Sequence, residues 1–268
     1  MRVCEATLRK RVENQDLLIF GGITDSRSTA VVEVYKEAGY DVLLIDREHS
    51  ALSDETIAAH VTLARALEFP CMVKVAEDCY HELNRTLDQA PDGVFVPRIR
   101  SREQVEAMVR TVKYPPLGRR GLAGATCPVS KYVGWVSLAE QVEAVNRNLV
   151  VGIQIDTVEA LSDLDGILSV PGVDIAVVDN DDLSAGMGIP GQLTHLDYLQ
   201  AVRRVIEVCQ RHDVLPGIAV SQPDMAARWI EQGMRAIWYA ADVCLIYDGA
   251  VRSLRALKEH LAHSGYAK

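Results

Sequence analysis

The chain has 268 residues, 49% of them hydrophobic, and a formal net charge of -9. That length suits one large core, read here as a single domain over 1–268. The acidic balance argues against a nucleic-acid groove, since no basic cluster with interleaved aromatics occurs. No apolar run approaches the roughly 20 residues needed to cross a bilayer.

Residues Met1-Arg2-Val3-Cys4-Glu5-Ala6 lack the apolar centre of a signal peptide, so a cytoplasmic protein is expected. The six cysteines (Cys4, Cys71, Cys79, Cys127, Cys209 and Cys244) are scattered without C-x-x-C pairs. Reduced thiols are therefore expected rather than a disulfide frame or a zinc knuckle.

Short apolar runs rich in β-formers recur along the chain. They are Leu17–Phe20, Val42–Ile45, Cys71–Val75, Gly93–Val96, Leu149–Ile155, Ile175–Val178, Leu215–Val220 and Ala236–Tyr239. Between them lie helical patterns such as Ser26–Ala38, Ser53–Leu67, Ser101–Val112, Val158–Leu168, Tyr198–His212 and Gln222–Gln232, many opened by Ser or closed near Gly. Strands buried on both faces read as continuous apolar runs, and eight such βα units without a polar linker predict a parallel (β/α)8 TIM barrel. One stretch, Lys113 to Trp135, is rich in Gly, Pro and Arg and too long for a simple connector, so a functional loop is expected there.

Barrel chemistry sits at the C-terminal strand ends, so the polar residues that follow each apolar run are the candidates. Strand two ends in Asp46-Arg47-Glu48-His49, strand three carries Lys74, strand five ends in Gln154-Ile155-Asp156-Thr157, and strand six runs into Asp179-Asn180-Asp181-Asp182. An acid-base histidine, a cation and several carboxylates able to hold a hard metal ion thus converge on one rim. Each has a bland reading as well. The acidic run can be a turn with Asp182 or Ser184 as N-cap, Asp156 can cap the helix at Val158–Leu168, and His49 can be a capping histidine. Lys74 interrupts an apolar strand, and a buried ammonium without a partner costs several kcal/mol, which favours a pocket-facing position. Gly186-Met187-Gly188-Ile189-Pro190-Gly191 matches G-x-G-x-x-G only formally, because it does not join a strand directly to a helix and carries Pro190.

Asp46-Arg47-Glu48-His49, Tyr114-Pro115-Pro116-Leu117-Gly118-Arg119-Arg120-Gly121, Gln154-Ile155-Asp156-Thr157, and Val170-Pro171-Gly172-Val173-Asp174 leading to Asp182-Leu183-Ser184 occur in this order, and together the sequence resembles the HpcH/HpaI aldolase family. The resemblance implies a TIM barrel, a hexamer with an exchanged C-terminal helix, and a divalent ion such as Mg²⁺, Mn²⁺ or Co²⁺ used in carbon–carbon cleavage or formation next to a 2-oxo acid. Carried over residue by residue, it makes Asp156 and Asp182 the metal ligands and puts Lys74 where the family has arginine. His49 with Asp46 would move protons, and Gln154, Asp179, Asn180, Asp181 and Arg120 would bind substrate. The sequence departs from the pattern at Lys74, which lacks the planar fork of arginine, at Asp156, one methylene shorter than glutamate, and at Asp179-Asn180-Asp181, which replaces a small G-P-x run. These changes leave three alternatives open: an aldolase of shifted specificity acting through a metal-stabilised enolate; a barrel repurposed for decarboxylation, isomerisation, ring formation or imine chemistry at Lys74; and a non-catalytic binding relative.

Overall fold

The computed structural model describes residues 7–123, 128 and 137–264. Met1–Ala6 with Cys4, residues 124–127 with Cys127 and 129–135 of the Lys113-to-Trp135 stretch, and the last four residues lie outside the described residues.

The elements in chain order are α1 (Thr7–Glu13), β1 (Leu18–Ile23), α2 (Ala30–Glu37), β2 (Val42–Asp46), α3 (Asp54–Ala66), β3 (Cys71–Lys74), α4 (Tyr80–Asp88), β4 (Gly93–Val96), α5 (Arg102–Val112), α6 (Leu138–Asn148) and β5 (Val150–Ile155). They continue as α7 (Val158–Ser162), α8 (Leu164–Leu168), β6 (Ile175–Val178), α9 (Asn180–Gly186), α10 (Leu196–Arg211), β7 (Leu215–Val220), α11 (Pro223–Glu231), β8 (Ala236–Ala241) and α12 (Asp242–His263). All strands pair in parallel with their sequence neighbours, and β8 returns to β1, so the sheet closes into the TIM barrel that the apolar rhythm predicts.

The period of two along each strand decides what the barrel encloses. Val42, Leu44, Met72, Phe95, Val150, Ile175, Val177, Leu215 and Ala236 pack together inside it. Their strand neighbours Leu43, Ile45, Val73, Val94, Val151, Ile153, Ala176 and Val178 face the helices. Gly152 makes room for a large neighbour, since a Cβ there would lie 2.3 Å from the Phe95 ring. Helix α1 adds Leu8 and Val12 to the interior cluster, and Arg9 binds Asp174, just before β6, across 2.8 Å. The N-terminal mouth is thereby plugged, which leaves the opposite mouth for chemistry.

Continuing the same parity upward places Asp46, Lys74, Gln154, Asp156, Asp179 and Trp238 on the inward side at or just beyond the C-terminal strand ends. The helices start as their caps require: Ser53, Ser101 and Thr157 accept from the backbone amides of Thr56, Gln104 and Ala160. Thr157, not Asp156, is therefore the cap, and the predicted Val158–Leu168 helix divides at Asp163 into α7 and α8.

Candidate active site

Asp46 and Lys74 are register partners on β2 and β3, so their side chains emerge side by side at the mouth. Lys74 is 2% exposed and is held by Glu48 Oε2 at 2.7 Å and Asp46 Oδ2 at 3.5 Å. Its Nζ also lies 5.3 Å from the centre of the Trp238 ring, a cation–π contact from β8. Burial of this ammonium is thus compensated on two sides, as the charge requires.

Asp46 does not pair with the His49 ring, contrary to the expected Asp46–His49 dyad. Its Oδ1 accepts the backbone amides of Glu48 at 2.8 Å and His49 at 2.9 Å and so fixes the turn after β2. The carboxylate beside the ring is Glu48, with Oε2 3.4 Å from His49 Nε2. The His49 side chain, 59% exposed, borders an open recess of about 500 Å³ lined by Thr24, Asp25, Glu48, Ser50, Ala51 and Val243. Asp242, the first residue of α12, accepts from the backbone amides of Thr24 and Ser26 and holds the rim of that recess in place.

On the other side of Glu48 stands Arg98, in the loop after β4. Its backbone amide donates to Asp156 Oδ2 at 2.8 Å, and its guanidinium reaches Glu48 Oε1 at 3.5 Å and Asp182 Oδ2 at 3.2 Å. Asp156 is 3% exposed, and its Oδ1 is buried with no hydrogen-bond partner among the described residues. Burial raises the carboxyl from 3.8 to about 6; the Arg98 amide and charge oppose that rise, and the charges of Asp179 and Asp182 add to it.

The acidic run after β6 splits into different tasks. Asp179 is the N-cap of α9, accepting from the amides of Asp181 and Asp182, which corrects the expectation of Asp182 or Ser184 as cap; its other oxygen accepts from Gln154 Nε2 at 3.3 Å. Asn180, expected to bind substrate, is turned away from the mouth: its amide donates to Ala219 O at 2.7 Å and its oxygen accepts from the Tyr198 hydroxyl. Asp181 is exposed on the first turn of α9. Asp182 is half-buried and faces Arg98.

Arg120 is placed elsewhere. It pairs with Asp88 at 2.9 Å and stacks on Tyr114 at 4.5 Å, buried at the C-terminal end of α4, and that end lies at the mouth opposite the strand-end cluster. The expected substrate contact gives way to a buried structural pair.

Two residues of the cluster escaped the sequence reading. Glu48 was part of the Asp46–His49 segment but carried no role, and it joins His49, Lys74 and Arg98. Arg98 follows Val96-Pro97 directly, so collecting the polar residues after strand four would have found it.

A model of the HpcH/HpaI aldolase/citrate lyase family matches residues 24–248. The chain belongs to this family. It is 31% identical over 242 residues to a 2-dehydro-3,6-dideoxy-6-sulfogluconate aldolase of Pseudomonas putida, an alignment covering 90% of this chain and 93% of that one. It is 29% identical to a 4-hydroxy-2-oxo-heptane-1,7-dioate aldolase of Klebsiella pneumoniae, with 83% of each chain covered. The crystal structure of an HpcH/HpaI aldolase from Desulfitobacterium hafniense superposes with a TM-score of 0.88 at 28% identity, over 94% of this chain and 96% of that one.

HpcH/HpaI enzymes are divalent-metal-dependent lyases, and the donors at this mouth fit such an ion in one manner. Among the described residues no three His, Cys, Asp or Glu side chains converge as a cage. A Mg²⁺-like ion, however, is commonly held by one or two carboxylates with water completing an octahedron. Asp156, with its buried and unpartnered Oδ1, and Asp182, whose charge is felt at Asp156, are the two carboxylates here that could hold one.

Proposed function

We propose that this HpcH/HpaI family member is an aldolase-type lyase that breaks or forms a carbon–carbon bond next to the carbonyl of a 2-oxo acid and works with Mg²⁺, Mn²⁺ or Co²⁺. The observation that carries the reading is the unpartnered Oδ1 of buried Asp156 beside Asp182, at the same mouth as His49 and Lys74. Held by Asp156 and Asp182, the ion would polarise the substrate carbonyl and stabilise the negative charge that develops on its oxygen.

The chain's own residues account for the remaining tasks. Lys74, anchored by Glu48 and Asp46, presents a fixed positive charge to an anionic substrate at the bottom of the mouth. His49 is open to the recess and backed by Glu48, so it can take the proton of the hydroxyl at which the bond breaks and return it in the reverse direction. Asp46 acts by pinning the turn that carries both residues. Imine chemistry at Lys74 is disfavoured by geometry, because an ion pair with Glu48 at 2.7 Å uses the ammonium form whereas a Schiff base needs the free amine.

Assembly belongs to the same reading. Helix α12 exposes Ile246, Tyr247, Leu254 and Leu257 along most of its length, a face that a second copy would bury in a homo-oligomer with this helix exchanged.

The test is retro-aldol cleavage of a panel of 4-hydroxy-2-oxo acids, read as release of the smaller 2-oxo acid. Activity that needs added Mn²⁺ or Mg²⁺, and is lost in Asp182→Ala, is expected. Cleavage unaffected by chelator and by that substitution would overturn the metal route.

A further inference from the structure

Arg98 is not the product of a regular element. It sits just past β4 with a left-handed backbone, φ +59°, a conformation that is unfavourable for a non-glycine residue and is kept only where surroundings enforce it. The enforcing contact is the donation of its own amide to Asp156 Oδ2 at 2.8 Å. From that anchor the side chain swings over the mouth and places its guanidinium between Glu48 Oε1 at 3.5 Å and Asp182 Oδ2 at 3.2 Å. The cation thus engages Asp182, one of the two carboxylates assigned to the metal, and leaves Asp156 Oδ1 untouched.

We propose that Arg98 is a tethered competitor of the divalent ion: its guanidinium neutralises Asp182 in the metal-free protein and must leave that carboxylate for the ion to be bound. This inference rests on the reading of Asp156 and Asp182 as the metal site. The physical case is charge balance. Glu48, Asp156, Asp179 and Asp182 gather at one mouth, and Lys74 is already engaged by Glu48 and Asp46. An internal cation therefore holds the acidic rim together when no ion does. The Arg98 side chain is 47% exposed and only its backbone is pinned, so release costs two solvent-screened ion pairs and no rearrangement of the barrel. Once displaced, the guanidinium stays at the rim, since the amide contact to Asp156 does not depend on where the side chain points.

The test is Mn²⁺ binding to the chelator-treated full-length protein, followed by the electron paramagnetic resonance signal of free Mn²⁺. Wild type is compared with Arg98→Gln, Arg98→Lys, Arg98→Asn and Asp182→Asn. Asparagine tolerates positive φ, so it guards against a Gln variant that folds poorly. Removing a unit positive charge next to a half-exposed ligand should tighten Mn²⁺ by about tenfold in the Gln and Asn variants. Lysine, which keeps the charge without the fork, should fall between them and wild type. Equal affinity in wild type and the Gln and Asn variants, with Asp182→Asn still losing the ion, would overturn the competition while leaving the metal site standing. Weaker binding in the Gln and Asn variants with unchanged thermal melts would also overturn it, making Arg98 a support of the ligands. No Mn²⁺ binding in any variant would overturn both the competition and the carboxylate site.

Discussion

Asp156→Asn is the perturbation whose outcome the structure specifies most fully. The wild-type carboxyl is 3% exposed and raised by burial from 3.8 to about 6. A carboxyl whose folded pKa lies above its unfolded value makes the protein less stable as pH rises through that interval. The penalty is absent below about pH 3.8, grows towards pH 6 and is fully present above it. The gap between 3.8 and about 6 corresponds to about 3 kcal/mol at neutral pH, an upper bound that the lost attraction to Arg98 reduces. Asparagine keeps an oxygen for the Arg98 amide and puts a neutral amide where Oδ1 has no partner. Chelator-treated Asp156→Asn should therefore melt about 5 °C above wild type at pH 7.5 and level with it at pH 4. Added Mn²⁺ should raise the melting temperature of wild type and not of the variant, and retro-aldol activity should fall. A variant that melts at or below wild type at pH 7.5 without metal would refute the reasoning, because the buried charge would then carry no cost.

The other expected outcomes concern the cluster and the helix beyond it. His49→Ala should lower kcat by about 10²–10⁴ with little change in melting temperature, since the ring is exposed; equal kcat would remove His49 from proton transfer. Glu48→Ala leaves buried Lys74 with Asp46 at 3.5 Å and the Trp238 ring, without its nearest carboxylate, and should cost about 3 kcal/mol in denaturant unfolding, whereas Glu48→Gln should cost less; no loss in either would show that the pair is not needed. Lys74→Arg should retain retro-aldol activity, and borohydride should trap no adduct on wild type; peptide mass mapping of a modified Lys74 would reverse the assignment. Leu254→Glu on α12 should reduce the mass seen in light scattering at micromolar concentration, and a monomeric wild type would contradict assembly through this helix.

Much of this protein was legible from its residues alone, because the decisive signals are local. Eight continuous apolar runs of strand length, separated by helical patterns, are enough to predict a parallel barrel. Lys74 could be read as pocket-facing from the cost of burying its charge in an apolar strand, whereas the inward side of Asp46 and Asp179 follows from the parity that the barrel interior sets. A polar residue at a strand end is likewise a local fact, and so Gln154, Asp156 and Asp182 could be gathered at one mouth. What the sequence could not decide was which of these groups touch. Whether the His49 ring meets Asp46 or Glu48 depends on the turn that Asp46 Oδ1 ties with two backbone amides. Whether Asn180 faces substrate or core depends on Ala219 and Tyr198, residues far along the chain that offer its amide better partners. Arg120 belongs to a stretch that resembles its family, but the chain carries that stretch to the end of α4, where Asp88 and Tyr114 take up the charge. Arg98, Glu48 and Asp182 come from three different strand ends and meet only because the barrel closes. Charge pairing acts over a few ångströms in space and is indifferent to separation along the chain, so the tertiary structure alone determined the partners.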